Sequence, residues 1–317
     1  MHCKYIYPLK LSCVCKETIW GGDKLSKKFG KGSYGKIGET WELSVRDAER
    51  SVILNGICKG IPLGEYLDRY TDISSSDFPL LIKFIDANDK LSVQVHPDNE
   101  HALSTGENNG KTEMWYIIEA EENASIVYGV SEGTGKAELK KAVEDATLIK
   151  HLKRTKVSAG EAYFIPGGLV HAIGSGILLA EIQQNSDTTY RFYDYDRKDA
   201  NGKARELHVD KALDAFIDHS EYDIRSMQFS KSADHSNGGD LLASCEYFRV
   251  SRHTVEGSKR FESNASPFIS LLCLDGEGYI KWQDGSEHIQ KGDSFFIPKA
   301  LEAFELCGKL TLLETTV

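Results

Sequence analysis

GEAYFIP at Gly160–Pro166 and GDSFFIP at Gly292–Pro298 are one heptad written twice. Glycine, an acid, two aromatics, Ile and Pro recur in register. The physical reading is a glycine turn, a short buried strand, and a proline that ends the pairing. Two copies imply two related β-rich halves of one chain. The halves then part ways. Five residues past Pro166 stands His171, whereas five past Pro298 stands Ala303. A side chain able to bind a metal or move a proton occurs in the first half and a methyl group in the second. Chemistry is therefore expected in the first half, with the second as scaffold or lid.

Outward from the heptads the texture stays β. Short apolar or alternating runs, broken by Gly, Asn and Asp, predict strands over Lys90–Val95, Trp115–Glu119, Ala124–Val130, Ala162–Ile165, Ile177–Ile182, Phe268–Leu274 and Tyr279–Gln283. Many short strands at turn-like spacing point to a sandwich or barrel. Three segments read as packing helices. Pro62 takes the first helical position ahead of Leu63, Tyr66, Leu67 and Tyr70. Lys136–Leu152 and His208–Asp218 each carry one apolar stripe. Ser230–Gly239, SKSADHSNGG, reads as a linker. It divides the chain into a first domain over 1–235 and a second β domain over 236–317.

The 317 residues are 40% hydrophobic and 27% charged, ordinary values for a globular enzyme. No apolar run reaches the ~20 residues of a membrane span, and the N-terminus has no continuous apolar segment of a signal peptide. Seven cysteines, an odd number without a CxxC pair, argue against a disulfide framework and place the chain in a reducing cytoplasm. Cys13 and Cys15 would share one face of a strand. A formal net charge of −10 argues against a nucleic-acid partner. A small anionic substrate is still admissible, because a local positive pocket suffices.

Three short segments carry the candidate chemistry. In LSVQVHP (Leu91–Pro97), Leu91, Val93 and Val95 share one strand face, and Ser92, Gln94 and His96 the other. In KTEMWY (Lys111–Tyr116), Glu113 opens a run entering the sheet, where a carboxylate needs a partner. In IPGGLVHAI (Ile165–Ile173), His171 follows a Pro-Gly-Gly turn among apolar residues. Singly, His96 and His171 read as ordinary surface and core histidines, and Glu113 equally well as an edge residue. Together, two imidazoles and a carboxylate with Gln94 nearby match a catalytic zinc pattern, and Fe(II) or Mn(II) is equally compatible. A fourth segment, Ala180–Arg197, is dense in polar groups beside an apolar strand: Glu181, Gln183, Asn185, Asp187, Arg191, Asp194, Asp196 and Arg197.

These residues resemble the type I mannose-6-phosphate isomerase family. The likeness runs through FPLLIKFIDANDKLSVQVHPDNEHA (Phe78–Ala102), KTEMWY, YFIPGGLVHAIGSG (Tyr163–Gly176) and Glu181–Arg191, where the family's E-x5-D-x3-R falls on Glu181, Asp187 and Arg191. WGG (Trp20–Gly22) and GETWELS (Gly38–Ser44) extend it upstream. The resemblance covers most of residues 15–200, and the length matches the short bacterial form. It implies a mainly β fold, a cupin jelly roll with a second, degenerate cupin at the C-terminus. It implies reversible conversion of mannose 6-phosphate to fructose 6-phosphate and one zinc ion per chain. The ligands would be His96, Glu113 and His171, with Gln94 additional. Arg191 matches the family's active-site arginine, Lys111 a lysine lining the pocket, and Asp187 an acidic residue proposed as base. Long members carry a histidine immediately before that lysine; here the position is Gly110, and His101 is the nearest substitute in sequence.

Moving a proton between carbons 1 and 2 through an enediol needs a base and an electrophile together. Asp187 or Glu181 would shuttle the proton, Arg191 would steady oxyanion charge, and Lys111 and Arg197 are candidates for phosphate. Two other readings stay open on the sequence: a different metal cupin, such as an Fe(II) oxygenase, and a sugar-phosphate-binding cupin without catalysis. Monomer and dimer are equally open.

Overall fold

Gly160 and Gly292 both adopt φ of 90°, a backbone conformation that glycine reaches without steric cost. Each turn feeds a strand, Ala162–Ile165 and Ser294–Pro298, so the repeated heptad is the same turn and strand twice. The computed structural model describes residues 5–32, 35–198, 201–231 and 237–317. The expected domain boundary at 235/236 falls on residues 232–236, outside the described residues.

Three sheets organise the chain. A five-stranded sheet runs Leu152–Lys156, Ser125–Val130, His171–Ala172, Val93–Val95, Tyr190–Tyr193. A six-stranded sheet runs Ala162–Ile165, Glu113–Ala120, Ile177–Gln184, Leu80–Ala87, Val14–Gly22, Ile37–Leu43. These two face each other across the first half. Helices Lys136–Glu144 and Val209–Ala215 cover the outside of the five-stranded sheet: Leu139, Ala212 and Leu213 pack with Val93, Val95 and Val127. That leaves Gln94, between two outward valines, pointing inward, as the strand period requires.

The third sheet has seven strands and is built mainly from the C-terminal segment. Alternate residues of its strand Phe268–Trp282 serve different cores. Ile269, Leu271 and Cys273 join Phe295, Leu306 and Leu312 in a core of its own. Phe268, Leu272 and Leu274 join Leu80, Ile82 and Phe84 of the six-stranded sheet. Phe78 stacks on Phe268 at 5.1 Å between ring centroids. The C-terminal sheet thus backs the six-stranded sheet and stiffens it. Leu9–Leu11, from the other end of the chain, pairs with Ser294–Pro298 at its edge.

Three expectations change. Phe268–Leu274 and Tyr279–Gln283 belong to one strand, Phe268–Trp282. A register shift between Cys273 and Asp275 absorbs the Asp-Gly pair that reads as a turn. The helix expected over Lys136–Leu152 stops at Glu144. Ala146 takes φ of 53° there, a left-handed conformation that ends a helix, and Leu152 already belongs to a strand. Pro62 is the N-cap of Leu63–Tyr70 rather than its first helical residue.

Candidate metal centre

Register builds the site. In the five-stranded sheet His171 pairs with Gln94, and Gln94 with Arg191. In the six-stranded sheet Glu113 pairs with Gln183, and Trp115 with Glu181, which pairs in turn with Lys83. Cross-strand partners share a face, so each sheet offers a polar row to the other. His96 extends the Gln94 face just past its strand.

The rows meet at His96, Glu113 and His171, whose ligand atoms lie within 4.8 Å of one another. All three are buried, at 1%, 0% and 0% exposure. The Nδ1–H of His96 donates to the Thr188 carbonyl at 2.8 Å, and that of His171 to the Leu169 carbonyl at 2.9 Å. Carbonyls only accept, so each neutral ring carries its proton on Nδ1 and keeps a bare lone pair on Nε2. Those Nε2 atoms stand 3.2 Å apart. The Glu113 carboxylate completes the set, 3.5 Å from His96 Nε2 and 3.6 Å from His171 Nε2. Its Oε1 accepts no hydrogen bond among the described residues. Burial, with Lys111 beside His96, holds the His96 imidazolium well below its usual range, and burial holds His171 at about 4. Burial, with the Glu181 charge nearby, pushes the Glu113 carboxyl up.

Two converging imidazole lone pairs and a buried carboxylate are a donor set that wants a cation. They fit a divalent metal with nitrogen and oxygen ligands, and the carbonyls behind both rings fix the tautomers such a metal needs. Within the chain, the Lys111 ammonium answers that demand, 2.7 Å from Glu113 Oε2 and 3.0 Å from His96 Nε2. Gln94 closes the group with its Nε2 3.3 Å from His171 Nε2, while its Oε1 accepts from Ser92 Oγ at 3.3 Å. Ligation through Oε1 requires the amide to turn over, after which Nε2 would face the Ser92 hydroxyl.

The remaining expected residues divide. Glu181 lies on the inner face, its oxygens 3.0 Å from Lys83 Nζ and 3.0 Å from Trp115 Nε1. Burial alone would raise its carboxyl, but Lys83 and Lys111 outweigh that and hold it low. Arg191 makes no ion pair among the described residues, and its Nε is buried without a partner. Asp187 sits on the loop after the Glu181 strand, 63% exposed, 2.7 Å from Arg46. Arg197 is spent on Asp194 and Asp89, away from the ligands. His101 does not join the ligand group; its ring meets Tyr190 edge-on at 6.4 Å.

Gly110 has a steric reason. A Cβ there would lie 2.5 Å from the Asp98 carbonyl carbon and 2.6 Å from the Asn99 nitrogen, so no side chain fits before Lys111.

Sequence reasoning missed Lys83 and Trp115, and the carbonyls of Leu169 and Thr188. A lysine inside LLIKFIDA was the available signal for Lys83. Trp115 meets the His171 ring edge-on at 5.5 Å, so the Lys83–Glu181–Trp115 chain buttresses the His171 ring.

The family model described as phosphomannose isomerase type I, catalytic domain, matches residues 8–143, and the one described as mannose-6-phosphate isomerase, cupin domain, matches residues 239–317. A mannose-6-phosphate isomerase of Streptococcus mutans is 37% identical, over 96% of this chain and 97% of its own length. One of Bacillus subtilis is 39% identical, over 95% and 96%. The crystal structure of the Bacillus subtilis mannose 6-phosphate isomerase superposes with a TM-score of 0.87 at 34% identity, covering 98% of this chain and 99% of that one. The fold is accordingly mainly β and of the cupin type, and with relatives this similar over nearly its whole length, the chain belongs to the type I mannose-6-phosphate isomerase family.

Proposed function

We propose that the chain interconverts mannose 6-phosphate and fructose 6-phosphate by moving a proton between carbons 1 and 2, with one zinc ion held by His96, Glu113 and His171 and with Gln94 as an additional ligand. The observation that carries this reading is the buried convergence of two unprotonated imidazole nitrogens and a carboxylate, in a chain of this family. Zinc suits that set and brings no redox chemistry of its own. When bound, it polarises the carbonyl and hydroxyl oxygens of the sugar.

The chain's own residues do the rest. Arg191, unpaired and always charged, presents donors to oxyanion charge as it develops at carbons 1 and 2. Lys111 stands against Glu113 and His96 and supplies positive charge to an anionic sugar phosphate in a chain of net charge −10. Glu181 has both oxygens engaged and stays ionised, so its part is to anchor Lys83 and Trp115. Proton transfer falls to Asp187. Its carboxylate pairs with Arg46 at the surface, and its neighbour Thr188 holds His96. The described cysteines are all free, which supports a cytoplasmic setting.

The test is a coupled assay of mannose 6-phosphate turnover with metal analysis. We expect turnover lost on chelation and restored by zinc. Full turnover in metal-stripped protein, or none after zinc is restored, overturns the proposal.

A further inference from the structure

Gln183 lies directly opposite Glu113 in the six-stranded sheet and is wholly buried. Its side chain therefore shares the inner face with Glu113, Trp115 and Glu181. Only half of its amide is used. Nε2 donates to the carbonyls of Gln184 at 2.7 Å and Ser186 at 2.5 Å. Two carbonyl acceptors fix which end is nitrogen, and the oxygen is the end left over. That Oε1 is buried and has no donor among the described residues.

A buried amide oxygen without a donor is costly, and native proteins leave few. The candidate donors on the same face are committed: Lys83 and Trp115 to Glu181, Lys111 to Glu113 and His96. A hexose phosphate carries hydroxyl donors and must lie against the metal centre to react. We propose that Gln183 is a substrate-binding residue whose Oε1 accepts a hydrogen bond from one sugar hydroxyl. This rests on the isomerase reading above and adds to it a source of specificity. A site built to pair a hydroxyl rejects the analogue that lacks it, because the oxygen is then left unpaired.

The test uses zinc-loaded full-length protein and mannitol 6-phosphate, a hexitol phosphate that cannot isomerise, with its 2-, 3-, 4- and 5-deoxy counterparts, binding being read by calorimetry. One deoxy compound should bind the parent about tenfold more weakly than the full hexitol. Gln183→Met should weaken the full hexitol by a similar factor and bind that one deoxy compound no worse than the parent does. A clamp that merely holds Gln184 and Ser186 would weaken all the compounds alike. That pattern, or unchanged binding in the variant, overturns the inference. Should Gln183→Met not fold, Gln183→Asn withdraws the oxygen by one methylene and carries the same comparison. A parent that turns over mannose 6-phosphate but shows no hydroxyl paired to Gln183 sinks this inference alone. A parent that fails to turn it over sinks the isomerase reading with it.

Discussion

The Nε2 atoms of His96 and His171 stand 3.2 Å apart with no proton between them, because each ring has already given its N–H to a backbone carbonyl. This arrangement makes the folded chain a cation receptor. His96→Ala and His171→Ala should each abolish turnover and lower bound zinc. Metal analysis with the coupled assay checks both, and full activity in a metal-free His171→Ala protein would refute the ligand assignment.

In chelated protein the same geometry sets an acid sensitivity. Burial holds both imidazoles below their usual range, His171 at about 4, while histidines of the unfolded chain protonate near 6.5. Between those values the unfolded state takes up protons that the folded state does not. Stability should therefore fall as pH drops from about 6.5 toward 4. Urea unfolding of chelated protein across that range checks it, and a rise in stability on acidification would contradict it.

Lys83 and Glu181 form a buried pair at 3.0 Å, with side chains 9% and 4% exposed. Lys83→Met removes the larger of the two charges that compensate the buried Glu181 carboxylate and should cost about 3–5 kcal/mol. The double variant Lys83→Met with Glu181→Gln should recover much of that loss. Denaturant midpoints of the four proteins measure the coupling, and additive losses would show that the pair is not coupled.

Lys111 serves Glu113 and His96 in place of a metal. Lys111→Met should destabilise the metal-free protein more than the zinc-loaded one and so tighten zinc binding, while turnover falls. Competition with a chromogenic chelator reads the affinity. Weaker zinc binding in the variant would argue against this competition.

Arg191→Ala should keep its zinc and lose turnover, and Arg191→Lys should not restore it, since a point charge does not replace a planar fork of donors. Normal turnover in either protein would remove Arg191 from the mechanism.

The candidate site was legible where side chains carry it in a strand period. Val93 and Val95 face one way and Gln94 the other, as LSVQVHP reads. The heptad pair located both turns and put His171 in the working half. What stayed hidden has no side-chain signature or spans distant sequence. The carbonyls of Leu169 and Thr188 look like any others. The Arg46–Asp187 contact joins residues far apart in the chain. Asp275-Gly276 reads as a turn because a bulge uses the same residues. Gly110, a departure from the long family members, was visible as a letter, but its cause needed the Asp98 backbone behind it.

The pairing of Leu9–Leu11 with Ser294–Pro298 also bears on biosynthesis. Leu9–Leu11 must wait for a partner made about 280 residues later. At about 5–20 residues per second that delay is on the order of 15–60 s. Until then Leu9–Leu11 itself has an open edge, the template on which strands of other chains add. Deleting Leu9–Leu11 leaves Ser294–Pro298 without its partner and should therefore show first as aggregation of newly made protein, before any effect on catalysis is seen.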